Sequence, residues 1–462
     1  MTPVIALFLA ILQPNLVWSA NILCVFPTPA YSHQSVFAAY VDRLAYAGHN
    51  VTVITPMPRR VRHVTEVECN LSASYFANLM RSSTSIKKRG AVADEDTVTA
   101  NNYTPLVDMV VEQFASENVT ALVENINNQF DLVVCEAYLS VNLVFGHLFN
   151  APVILISSGF ATNENFRTIN RHVLYDHKKY PNMWRSNFTG DGRVSEKRLF
   201  REWSTLEKIQ ESKARSLFGD SVPSMVAMKA RVAMLFVNVP SLYDGERPVN
   251  DRVQYLGGLH LKKPRPITND RLTSFMKKHE VLIYVSFGSS LDAMTMDASL
   301  LTEMIRSFAS VSCGVLWRID ESVHSTYNVS SNVLTQNWFP QRDLLKHPKV
   351  KLFLTQGGVQ SVDEAVDGEV PMIGLAMVGD QFYSTRRISQ LGIGTALDVL
   401  KLEESHLDQV ISSMIDDPSY VRRIRDFKKY IRDTNKRPLK KALLHTERVL
   451  RNARSIFEFK NK

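Results

Sequence analysis

Short apolar runs and amphipathic helical stripes alternate along this chain, the rhythm of a fold in which parallel strands are joined by crossover helices. Residues 22–26 form the first apolar run. A polar loop follows, then a stripe of Val36, Phe37, Tyr40, Val41 and Leu44 at helical spacing, a stop at Gly48, and a second run at 51–54. This pattern is a βαβ unit. Residues 131–135 and 153–156 supply further strands, whereas 60–105 and 160–230 are less periodic and read as loops and helices. At 253–260 the pattern breaks, and Lys262-Lys263-Pro264-Arg265-Pro266 is polar and proline-rich. That predicts a linker over 256–268 between a domain at 21–255 and another at 269–435. The second series has strands at 281–287, 315–319, 350–354 and 370–375, with a stripe of Leu300, Leu301, Met304, Ile305 and Phe308 marking a helix between the first two. A last stripe, Leu439, Leu443, Leu450, Ala453 and Phe457, predicts a helix within 436–462 that packs back across the domains.

Composition narrows the class. With 462 residues, 45% hydrophobic and 22% charged, the chain is globular and long enough for two α/β cores of about 200–250 residues each. The net charge of +8 is scattered, except where Arg422-Arg423, Lys428-Lys429 and Lys440-Lys441 accumulate. Those pairs read as solvated helical surface, so no nucleic-acid partner is expected. No GxGxxG motif follows the first strand, which argues against a nicotinamide enzyme. Cys24, Cys69, Cys135 and Cys313 have no metal-site spacing; Cys24 and Cys135 lie inside apolar runs and read as free buried thiols.

Residues 1–20 carry an apolar run at 4–12, then Pro14 and small residues at Ser19 and Ala20, as a signal peptide does; the alternative is a buried first element of the fold. Sequons begin at Asn50, Asn70, Asn102, Asn118, Asn187 and Asn328. No apolar segment near the carboxyl end approaches the roughly 20 residues of a membrane-spanning helix. The expectation is therefore a secreted, extracellular protein without a transmembrane anchor. Whether it forms a homo-oligomer is left open.

The richest chemistry lies between Asn337 and Gln381. An apolar strand ends at Thr355-Gln356-Gly357-Gly358, and the glycine turn opens a helix with Gln360 and Ser361 in its first turn. Free backbone N–H groups and the positive end of the helix dipole make that turn an anion site. Glu364 projects from the same face as Gln360, one turn deeper, where a ribose attached to the anion would offer hydroxyls. Asp380 and Gln381 lie beyond the carboxyl end of the next strand, where open α/β sheets bind ligands. Read alone, each has a plainer explanation: Gly288, Gly357 and Gly358 as tight turns, Trp338 as core, Gly379-Asp380-Gln381 as a loop.

Taken together, Trp338-Phe339-Pro340-Gln341, the segment from Phe353 to Gly358, Ser361, Glu364, Pro371 and Asp380-Gln381 resemble the signature of the UDP-glycosyltransferases. The likeness extends over about residues 20–435. The wording from Thr355 to Glu364, and Phe26-Pro27-Thr28-Pro29-Ala30-Tyr31-Ser32-His33, is most similar to the ecdysteroid-glucosylating group from baculoviruses. The resemblance implies a GT-B fold, two facing Rossmann-like α/β domains with a cleft between them. It also implies UDP-glucose as donor co-substrate, a lipophilic steroid acceptor, the insect moulting hormone, inactivated by glucosylation, and no metal cofactor. By the same resemblance His33 is the catalytic base, and Glu136 stands where many animal members have Asp. Trp338 and Gln341 would meet uracil, and Gln356, Gly358, Ser361 and Ser289 the diphosphate. Gln356 replaces the His of most animal relatives and can still donate one hydrogen bond. The residues themselves agree that a helix start favours neutral imidazole at His33, and that a carboxylate from Glu136 would fix its tautomer. A transferase for another lipophilic alcohol or phenol, a catalytically silent UDP-sugar-binding protein and a secreted interaction protein remain alternatives at this level.

Overall fold

A computed structural model describes residues 19–69, 99–171, 180, 192–288, 296–377, 379–404 and 406–460. Most of the expected leader, Ser289 and the sequons at Asn70 and Asn187 lie outside the described residues.

Two parallel sheets organise the chain. The first contains β1 Asn21–Val25, β2 Asn50–Thr55, β3 Thr65–Glu68, β4 Leu132–Glu136, β5 Val153–Ser157, β6 Val232–Val237 and β7 Val253–Tyr255, in the order β3-β2-β1-β4-β5-β6-β7. The second contains β8 Leu282–Ser286, β9 Gly314–Arg318, β10 Val333–Gln336, β11 Val350–Thr355, β12 Met372–Gly374 and β13 Gly394–Ala396, in the order β10-β9-β8-β11-β12-β13. Strands such as β4 and β5 are buried along their whole length because helices cover both faces of a parallel sheet. Their sequences are accordingly continuous apolar runs rather than alternating ones.

Four of the longer helices carry candidate site residues or brace the two halves: α1 Tyr31–Tyr46, α2 Val359–Gly368, α3 Gln381–Gln390 and α4 Pro438–Lys460. α1 turns Val36, Phe37, Tyr40, Val41 and Leu44 inward. α4 follows the second sheet in sequence yet buries Ala442, Leu443, Val449 and Leu450 against Ile22, Cys24 and Phe37 of the first. The chain thus passes between the two halves twice, and the passages are stitched together: the Asn435 amide donates to the Leu256 carbonyl, and Lys441 Nζ to that of Tyr255 at 3.1 Å. Between the halves, Tyr243 Oη meets the carbonyl and Oγ of Ser384 at 3.0 and 2.9 Å, and the Phe160 ring lies edge-on to that of Tyr383 at 5.2 Å.

The sequence reading omits several strands for identifiable reasons. β3 is a polar edge strand, and β13 has only three residues. β6 is strongly apolar, but it ends a long stretch whose helices and loops lack strand periodicity. Cys24, Cys69, Cys135 and Cys313 are buried free thiols. Among the described residues no helix is long and apolar enough to cross a membrane.

The docking of α4 yields a stability prediction. Thr446 Oγ1 donates to the Ala442 carbonyl at 2.8 Å, so the buried Tyr40 hydroxyl, 2.6 Å away, must donate to Thr446. Thr446→Val keeps the shape and orphans that hydroxyl, and should cost about 1–3 kcal/mol in chemical denaturation. An unchanged midpoint would mean that Tyr40 finds another partner.

Candidate active site

Each sheet reverses its winding once, between β1 and β4 and between β8 and β11. At such a switch point the loops leaving the two strands diverge and open a crevice at their carboxyl ends. Here both crevices contribute to one cleft of about 670 Å³, lined by residues of both domains.

On the first-domain side, His33 is the third residue of α1 and Glu136 the last of β4. The two side chains meet at 2.6 Å, from His33 Nδ1 to Glu136 Oε1, although 103 residues separate them. Glu136 is 1% exposed and His33 24%, so the carboxylate is sealed behind an imidazole that still reaches the cleft. The Thr28 N–H holds the other carboxylate oxygen at 3.3 Å. Gln34 fixes the loop leading into α1 by donating to the carbonyls of Phe26 and Thr28, both at 2.8 Å, while accepting from Thr55 Oγ1 at 3.1 Å. With Nδ1 committed to Glu136, Nε2 is the ring nitrogen available to accept a proton. Tyr138 packs edge-on to the imidazole at 6.0 Å.

On the second-domain side, Gly358 is the N-cap of α2 and no side chain caps that end. Gln356 and Gly288 meet just ahead of it. Gly288 has φ +74°, and a Cβ there would lie 2.3 Å from Gln356 Nε2, so only glycine admits the amide. Gln356 Oε1 is buried with no hydrogen-bond partner among the described residues. Gln341 ties the next residues together: its amide donates to Ser361 Oγ at 3.0 Å and Glu364 Oε2 at 2.8 Å, and its oxygen accepts from Tyr284 Oη at 3.2 Å. Burial raises the pKa of Glu364, opposed by the Gln341 hydrogen bond. Trp338 is 53% exposed, not core, with the Tyr31 ring edge-on at 5.3 Å and the Arg318 guanidinium 5.0 Å from its centre.

Asp380 lines the cleft, and burial pushes its carboxyl up to about 6, partly opposed by the proximity of the His33 imidazole. Gln381 opens α3 and accepts from the Met377 N–H at 2.9 Å. Gln360, in the first turn expected to meet an anion, directs its side-chain amide to the Ser158 carbonyl of the first domain at 2.8 Å. The structure thus gathers His33, Glu136, Trp338, Gln341, Gln356, Gly358, Gln360, Ser361, Glu364, Asp380 and Gln381 around one cleft. Tyr31, Tyr138 and Arg318, which the sequence reading does not single out, line it as well. Tyr31 had a visible signal, lying one helical half-turn from His33; Arg318 and Tyr138 carried only their places at strand ends.

Residues 21–455 match the sequence model of the family described as UDP-glucoronosyl and UDP-glucosyl transferase. The chain is 52% identical over 459 residues to an ecdysteroid UDP-glucosyltransferase of Lacanobia oleracea granulosis virus, covering 99% of this chain and 100% of the relative. It is 40% identical over 460 residues to that of Spodoptera littoralis nuclear polyhedrosis virus, covering 94% and 88%. Among solved structures, the glycotransferase of kitacinnamycin aligns with a TM-score of 0.63 at 18% identity, over 94% of this chain and 100% of that one. Identity that low speaks for the fold alone, and the fold is GT-B.

One carboxyl beside the site links it to pH. Asp363 of α2 accepts from the Gly258 N–H at 3.0 Å, and burial pushes its pKa from 3.8 to about 8. The folded state therefore binds a proton that the unfolded state has released, so this group's contribution to stability declines as pH rises from about 4 to 8. Asp363→Asn keeps the acceptor oxygen and removes the titration. Relative to wild type it should gain about 3 kcal/mol between pH 5 and pH 8 in denaturant titrations. A difference that stays constant with pH would refute the assignment.

Proposed function

Because the chain belongs to the UDP-glucoronosyl and UDP-glucosyl transferase family, we propose that it transfers glucose from UDP-glucose to a hydroxyl of an ecdysteroid, with inversion at the anomeric carbon. The observation that carries the mechanism is the buried Glu136 carboxylate 2.6 Å from His33 Nδ1, facing a helix N-terminus across the cleft. The relatives from both viruses carry the name ecdysteroid UDP-glucosyltransferase, which supports the choice of acceptor and donor.

His33 Nε2 takes the proton of the acceptor hydroxyl as its oxygen attacks the anomeric carbon from the face opposite UDP. The new C–O bond forms as the bond to the β-phosphate oxygen breaks, and the electron pair leaves with UDP. Glu136 holds the imidazole in the reactive tautomer and stabilises the imidazolium that results. The charge that grows on the diphosphate meets the N–H groups at the head of α2, Ser361 and Gln356, with the hydroxyl of Ser289 assigned to it by the family resemblance alone. Dipoles fixed in advance of the reaction need no reorganisation. Uracil lies on Trp338 beside Gln341, ribose hydroxyls on Glu364, and glucose hydroxyls on Asp380 and Gln381. No step calls for a metal ion. Leu106 and Phe160 give the first-domain wall of the cleft apolar surface suited to a lipophilic acceptor.

The apolar run at 4–12 and the six sequons support export through the secretory pathway, with the mature protein extracellular and glycosylated.

Incubation with UDP-glucose and ecdysone, following UDP release and product mass, tests the reading directly. Wild type should add one hexose, and His33→Ala should lose transfer by roughly 10²–10⁴-fold while UDP affinity stays nearly unchanged. Retained turnover in that variant would remove His33 as the base. Glu136→Gln should leave UDP binding intact and lower kcat about a hundredfold or more by releasing the tautomer lock. Full activity there would show that the imidazole needs no carboxylate.

A further inference from the structure

The amide of Gln360 sits where three segments of the chain cross. Its Nε2 donates to the Ser158 carbonyl at 2.8 Å, joining residues 202 positions apart. That carbonyl also accepts from Asn238 Nδ2 at 2.9 Å, and Asn238 Oδ1 in turn accepts from the Leu259 N–H at 3.1 Å. The backbone carbonyl of Gln360 lies 3.2 Å from Nε2 of the buried His260. Next to this crossing the two backbones pack closely: a Cβ on Gly159 would lie 3.5 Å from a methyl of Val359, the first residue of α2. Asn238 is fully buried and Ser158 is 7% exposed, while Gln360 itself is half-buried at the edge of the cleft.

The loop held at Ser158 also forms part of the cleft. Ser157, Ser158, Gly159 and Phe160 line it, and the loop keeps its shape through a 2.8 Å bond from Ser157 Oγ to the Phe160 carbonyl. We propose that Gln360 is a positioning residue that sets the distance between this acceptor-side loop and the donor-side helix, rather than a ligand of the diphosphate. Its hydrogen bond spans the two bodies that must bring hydroxyl oxygen and anomeric carbon together, and a misplacement of about 1 Å can cost up to 10²-fold in rate. The inference rests on the transferase reading of the site.

The test measures three quantities in wild type, Gln360→Ala and the neutral, similarly sized Gln360→Met, which has no N–H to offer Ser158. These are the UDP dissociation constant by titration, kcat for transfer to ecdysone, and the rate at which UDP-glucose is hydrolysed with water as acceptor. Both variants should bind UDP within about twofold of wild type and lose roughly tenfold in kcat for transfer, with the ratio of hydrolysis to transfer increased. General loss of structure would weaken UDP binding and lower both rates together, which the ratio separates from loss of spacing. A UDP dissociation constant raised tenfold or more at an unchanged ratio would make Gln360 a phosphate ligand and overturn the proposal. Wild-type kcat and ratio in both variants would overturn it too. A wild-type protein that makes no glycoside would instead overturn the transferase reading, and this inference with it.

Discussion

A parallel sheet leaves room for a ligand at only one place on its carboxyl edge, where the winding reverses and neighbouring loops part company. This chain has two such places, between β1 and β4 and between β8 and β11, and both give onto the same cleft. The placement of the site residues is set by this. His33 comes from the first turn of α1, which follows β1, Glu136 from the end of β4, Gly288 from the turn after β8, and the head of α2 from the turn after β11. No one of these segments could hold donor and acceptor; the opposition of the two edges makes a reaction chamber from ordinary βα turns.

The electrostatics of that chamber are arranged for an anionic guest. Glu364, Asp380 and Asp363 all stand within or beside the donor half, and burial raises the pKa of each. Raised carboxyl pKa values reduce the negative charge that a diphosphate would meet, while the uncapped head of α2 offers N–H groups. Gln356 fits the same scheme. Its Nε2 can donate a hydrogen bond to the diphosphate, and the neutral amide adds no charge of its own.

What the sequence made legible was local. The order Trp338, Gln341, Gln356, Ser361, Glu364 and Asp380 can be read off one strand–turn–helix–strand stretch, because spacing along a helix or after a strand fixes direction. His33 and Glu136 were each legible as strand-end residues, and two α/β domains followed from the repeated alternation of strand and helix, while the GT-B arrangement followed from the family resemblance. The meetings between distant segments were not legible: Gln360 with Ser158, Asp363 with Gly258, Tyr31 with Trp338. They depend on how two finished domains face each other, and no periodicity within either domain encodes that. The same limit hid β6, whose apolar run had no neighbouring pattern to announce it.

The return of α4 to the first domain changes what kind of motion the cleft can perform. Two bodies tethered by one strand can swivel about it in any direction. Here a second strand crosses beside the first, with Asn435 and Lys441 bonded to the carbonyls of Leu256 and Tyr255. Paired tethers resist torsion much more than bending, so the remaining freedom is a single flexing coordinate, like the spine of a book. Any opening of the cleft would then keep the two faces from sliding out of register, and closure would return the same atoms to the same opposition.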